Sequence, residues 1–214
     1  MKINSLVICL FALFAINTLQ AQDRGEIAVS KSPFIPYLVG GLNWASINGT
    51  ENNSAIGPFA TFHAGIGVVT LINNRRPLSL AVEAFYSEQG FKFKEVSRNT
   101  NTEYLKFSYI NVPAILRFNL SRSSNFYLGL GPQVGFLVNG KVIRKNGTKS
   151  EFGEDELSKN VFDVVGTFGK YFGNKADMGV ELRYQGGLNE FMNSEPEFRH
   201  SVLQLRIILP LLFM

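Results

Sequence analysis

From residue 34 onward the apolar side chains recur at every second position, and no long window carries the repeat of a helix. In Val180-Glu181-Leu182-Arg183-Tyr184-Gln185 every odd position is polar. In Leu203 to Leu209 the odd positions are all aliphatic, with Gln204 and Arg206 between them. Side chains of a strand alternate between its two faces, so each such segment has one greasy and one polar side. The pattern predicts eight strands, at about 34–47, 58–72, 78–93, 104–119, 126–143, 161–173, 178–190 and 199–213.

The joints between them fall into two classes. Asn73–Pro77, Ser121–Asn125 and Asn174–Asp177 are tight and rich in turn residues, whereas 48–57, 94–103, 144–160 and 191–198 are longer and more polar. Long and short joints alternate, which in an up-and-down meander puts all the short turns at one end. Outer-membrane barrels have this asymmetry, with short periplasmic turns, long extracellular loops and an even number of strands. The strands also exceed the usual soluble length of about 5–6 residues and suit a tilted bilayer crossing.

Charge decides which face meets the surroundings. Only 18% of the 214 residues are charged, too few to coat eight long strands as a soluble barrel requires. In a bilayer the aliphatic face turns to lipid and the polar face to the lumen, while closure pairs every backbone N–H and C=O. The expected lipid-facing set includes Leu80, Val82, Ala84, Ile110, Val112, Ala114, Leu116, Val180 and Leu182, with Leu203, Leu205, Ile207 and Leu209. Phe59, Tyr86, Phe118, Phe126, Phe162, Phe172, Tyr184 and Phe213 lie towards strand ends, where interfacial girdles form. The fold expected is therefore all-β, an eight-stranded antiparallel transmembrane barrel over 34–214. A soluble periplasmic ligand-binding barrel is the alternative from another class.

Eight strands enclose a lumen just wide enough for their own side chains. Gly41, Gly65, Gly67, Gly129, Gly131 and Gly135 share the lumen parity with Glu83, Arg117, Glu181, Arg183 and Arg206. These five charges fall in the half nearer the short joints, and Asp163 faces inward near the other end. Charges in a poorly hydrated lumen must pair, because an unpaired buried charge costs several kcal/mol. The six residues are expected to form an ion-paired plug, with a narrow arginine-lined pore as the alternative.

The N-terminus reads as an export signal. Lys2 precedes an apolar run from Leu6 to Ile16, too short to span a bilayer, and Ala21 offers a cleavage site before Gln22. Residues 1–21 are expected to be a signal peptide and 22–33 a short periplasmic segment. The one cysteine, Cys9, lies inside the signal, so no disulfide is expected in the mature chain.

No catalytic constellation stands out. The two histidines, His63 and His200, belong to no His-x-x-x-His pair, and no Gly-x-Ser-x-Gly elbow occurs. A triad of His63, Asp163 and a serine has no motif behind it. The chain is read as non-enzymatic and without a cofactor or metal. The net charge of +4 comes without Lys/Arg clusters, so no nucleic-acid partner is expected. The expected partners are outer-membrane lipid and, at the extracellular loops, a protein or glycan. The longest joint, Arg144 to Asn160, mixes Lys145, Lys149, Lys159, Glu151, Glu154, Asp155 and Glu156, as a solvated loop does.

Several segments together resemble a known family. Tyr109-Ile110-Asn111-Val112-Pro113-Ala114-Ile115-Leu116-Arg117-Phe118 and Gly129-Leu130-Gly131-Pro132-Gln133-Val134-Gly135-Phe136-Leu137 are similar to strands of the PorT-like outer-membrane β-barrels. Phe162 to Gly166 and Glu181 to Leu188 are similar to the sixth and seventh strands of that family. The resemblance implies an eight-stranded barrel in the outer membrane of a Gram-negative bacterium. Members are commonly labelled porin-like and some are associated with protein secretion; the resemblance implies no substrate and no catalytic residue.

Overall fold

A computed structural model describes residues 34–48, 56–73, 78–93, 102–120, 125–144, 148–151, 158–172, 178–189 and 199–211. The expected signal peptide, the 22–33 segment and Phe213 lie outside the described residues. Nine strands are described: β1 (Phe34–Asn48), β2 (Ile56–Asn73), β3 (Leu78–Phe93), β4 (Thr102–Asn119), β5 (Phe126–Arg144), β6 (Lys149–Glu151), β7 (Asn160–Phe172), β8 (Met178–Gly187) and β9 (Arg199–Pro210). Apart from β6, each coincides with an expected strand to within a few residues.

All pairings are antiparallel between neighbours, in the order β1-β2-β3-β4-β5-β7-β8-β9. Pairing of β1 with β9, from Tyr37↔Pro210 to Asn48↔Arg199, closes the sheet into an eight-stranded barrel. Strand β6 corrects the expectation of a plain loop over 144–160. It pairs with the far end of β5 through Lys141↔Glu151 and Ile143↔Lys149, extending that hairpin beyond β7. The Arg144 N–H donates to the Thr148 carbonyl at 3.0 Å and adds to that pairing. In the short β4–β5 joint, Asn125 takes a left-handed φ of 54°, which asparagine tolerates better than most residues. Its carbonyl accepts from the Tyr171 N–H at 3.1 Å.

Burial follows the alternation. Leu203, Leu205, Ile207 and Leu209 are exposed, while Val202, Gln204, Arg206 and Ile208 are fully buried. The outer surface of β4, β5, β7 and β8 is likewise aliphatic and aromatic: Ile110, Leu116, Leu128, Leu130, Val164, Phe168 and Leu182 all stand exposed. The interior holds Glu83, Glu181, Arg183 and Arg206 at 2% exposure or less. This inversion, greasy outside and ionic inside, is that of a barrel whose solvent is lipid, and it removes the soluble-barrel alternative.

Of the aromatics expected in girdles, Phe118, Phe162, Phe172 and Tyr184 are exposed on the outer face. Phe59 differs. It pairs directly with buried Ala45, so it shares the inner face, and its ring stacks on Tyr104 at 5.1 Å. Apolar clusters fill the rest of the interior: Tyr37, Val39, Phe85, Tyr127 and Ile208 form one, and Ala81, Ile115 and Val165 another.

Candidate functional site

Strand register brings five of the six expected charges to one place. Glu83 comes from β3, Arg117 from β4, Glu181 and Arg183 from β8, and Arg206 from β9. Glu181 and Arg206 are direct cross-strand partners. Two residues apart on one strand, Glu181 and Arg183 share the inner face.

Each carboxylate is fully engaged. Arg183 grips Glu83 in a fork, Nη1 to Oε2 and Nη2 to Oε1 both at 2.9 Å, and its Nε donates to Glu181 Oε1 at 3.0 Å. Arg206 bridges the same two acids at 2.7 Å each, Nη2 to Glu83 Oε2 and Nη1 to Glu181 Oε1. Arg117 Nη2 lies 3.2 Å from Glu83 Oε1 and from Glu181 Oε2. Forked, charge-assisted bonds of this kind combine strength with fixed geometry. The network therefore cross-links opposite sides of the barrel through its lumen.

Two tyrosines complete the acceptors. Tyr37 OH donates to Glu83 Oε1 at 2.7 Å and Tyr127 OH to Glu181 Oε2 at 2.8 Å. Their placement repeats one device twice. Tyr37, Gly67 and Glu83 are consecutive partners across β1, β2 and β3, and Tyr127, Gly169 and Glu181 across β5, β7 and β8. A Cβ on Gly67 would meet the Tyr37 ring, and one on Gly169 the Tyr127 ring. The glycine leaves room for the ring to lie over the intervening strand and reach the carboxylate beyond it. Gly129 opposite Arg117 and Gly41 opposite Arg206 give the remaining long side chains their space. The aromatic rings also face the cations: Arg117 sits 4.9 Å from the Tyr127 centroid and Arg206 5.2 Å from that of Phe85.

Asp163 does not join this cluster. Its Oδ1 lies 2.9 Å from His200 Nε2, and its Oδ2 accepts from Gln133 and Gln185, both at 2.9 Å. The expected balance of three acids against three arginines is thus two acids against three, with Asp163 in a separate polar layer. His63 lies elsewhere again, its Nδ1 2.7 Å from Asn43 Oδ1, which also accepts from Gln204 at 2.9 Å. Ser201, next to His200, turns its hydroxyl to Tyr184 OH at 3.0 Å on the outer face. Beyond the polar layer, Gln89, Phe91, Phe107, Tyr109 and His200 line a small pocket.

Sequence reading missed the tyrosines and Gly169. The signal is present in the sequence: Tyr37, Tyr127 and Gly169 all have the inward parity, whereas nearness to a strand end says nothing of which face an aromatic residue takes.

With this geometry in view, the sequence matches the model of the outer membrane protein beta-barrel domain over residues 20–193. The chain belongs to this family. It is an outer-membrane protein. Among solved structures, neisserial surface protein A is similar at 17% identity and a TM-score of 0.49, covering 83% of this chain and 97% of that one. Ail of Yersinia pestis, solved in complex with the heparin analogue sucrose octasulfate, shares 12% identity at a TM-score of 0.43, covering 83% and 98%. OprG of Pseudomonas aeruginosa shares 9% at 0.44, covering 82% and 93%. No curated protein matches the chain significantly. In this family the short joints mark the periplasmic end, so the ion cluster lies in the periplasmic half of the barrel.

Proposed function

We propose that this family member acts as a closed, non-enzymatic barrel, a structural or interaction component of the outer membrane whose lumen carries no solute. One observation carries the reading. Glu83, Glu181, Arg117, Arg183 and Arg206 bridge the lumen through contacts of 2.7–3.2 Å and are at most 2% exposed. Opening a path would strip paired charges of their partners, which costs several kcal/mol per ion. Purified wild-type protein in planar bilayers should give no stable conductance steps. Stable single-channel openings would overturn the plug.

A second reading, a narrow pore, is favoured by the excess of one guanidinium over the carboxylates in the cluster. Such openings would then select anions over cations. Interaction belongs to the long-joint end, where a protein or a glycan is the partner class. The likeness of Tyr109–Phe118 to the PorT-like strand adds an accessory role in protein secretion to that interaction reading.

A further inference from the structure

Among the described residues, Lys170 stands apart from the other charges. On β7 the outward positions run Phe162, Val164, Gly166, Phe168, Lys170 and Phe172. Among the described residues, Lys170 is the one charged side chain on the lipid face between the periplasmic joints and the Glu88–Lys106 pair nearer the extracellular end. None of the described carboxylates forms an ion pair with it. Its ammonium lies instead over two phenyl rings, 4.6 Å from the Phe126 centroid and 5.2 Å from that of Phe172. Phe126 is its direct partner across the β5–β7 ladder and stacks at 5.7 Å on Phe168.

Depth fixes what this cation meets. Lys170 is two residues from the end of β7, roughly 7 Å at about 3.3 Å per residue. A lysine at that depth extends its stem along the apolar wall and brings its head to the interface. Within acyl chains its charge would be costly. The anions available at the periplasmic interface are the phosphodiesters of glycerophospholipids. We propose that Lys170, cradled by Phe126 and Phe172, is a binding site for the headgroup of an anionic phospholipid in the periplasmic leaflet. The ammonium pairs with the phosphodiester, and the rings of Phe126, Phe168 and Phe172 pack against the glycerol and upper acyl chain.

Native mass spectrometry of the protein released from mixed phosphatidylglycerol and phosphatidylcholine bilayers tests this. Wild type should retain phosphatidylglycerol in preference to phosphatidylcholine. Lys170→Gln should lose about fivefold in phosphatidylglycerol affinity, the factor for one lysine at an anionic surface. Lys170→Arg should keep the preference, and Phe126→Leu should weaken it. Folding of each variant is checked by its heat-modifiable migration on gels. Lys170→Met is a second neutral variant should the glutamine protein fold poorly. Equal phosphatidylglycerol retention by wild type and a folded neutral variant would overturn the site. So would displacement of the lipid by soluble glycerol 3-phosphate, which would mark a site for free phosphate.

Discussion

Replacing Glu83 by alanine should destabilise the folded barrel by about 3–5 kcal/mol, the cost of breaking a buried ion pair from one side. Glu83 accepts from Arg183, Arg206, Arg117 and Tyr37 together. Its removal leaves three guanidiniums around Glu181 alone, at a depth where water cannot solvate the surplus. Urea titration of protein folded in lipid vesicles, followed by the fluorescence of the single tryptophan, Trp44, measures the loss. Glu83→Gln should fall between wild type and alanine, because the amide oxygen still accepts while its charge is gone. By contrast, Lys106→Ala removes a pair whose lysine side chain is 31% exposed, and it should cost under about 1 kcal/mol. A Glu83→Ala protein within about 1 kcal/mol of wild type would mean that the cluster is hydrated and the lumen open to water.

The opposite face carries the second large effect. Leu205 lies in an outward row between Leu42 on β1 and Leu182 on β8, all three exposed. Leu205→Arg puts a charge amid acyl chains and should cost about 2–4 kcal/mol near mid-membrane. The same unfolding titration reads it. An effect below about 0.5 kcal/mol, the scale of an ordinary surface substitution, would place Leu205 in water. The two substitutions differ in kind: one strands partners already buried, the other introduces a charge where none has a partner.

How far the sequence disclosed this depends on the question asked of it. A period of two is a local property, so Leu203 to Leu209 revealed strand and face without any knowledge of neighbours. Closure followed from the low charge and the alternating joints. The grouping of Glu83, Arg117, Glu181, Arg183 and Arg206 was legible because all five count to similar distances from short turns. Asp163 was legible as inward but not as a partner of His200. Parity gives the face, whereas depth around a tilted barrel depends on the stagger between strands, which single segments do not encode.

The tyrosines were hidden for a related reason. Tyr37 reaches Glu83 across Gly67, and Tyr127 reaches Glu181 across Gly169, so each contact joins three strands. Such a row emerges only once two registers are known. Strand β6 was illegible because Lys149 to Glu151 alternates no apolar residues; its pairing with Lys141 to Ile143 extends a hairpin already set by β5.

The direction of the two faces can be read residue by residue along β9. Nitroxide labels on single cysteines at 202, 203, 204, 205, 207, 208 and 209, in protein folded into lipid vesicles, would report collisions with oxygen dissolved in the bilayer. Accessibility should alternate, high at Leu203, Leu205, Ile207 and Leu209 and low at Val202, Gln204 and Ile208. The reverse phase, with the leucine positions shielded and Gln204 open to the acyl chains, would contradict an ionic lumen inside a lipid-facing wall.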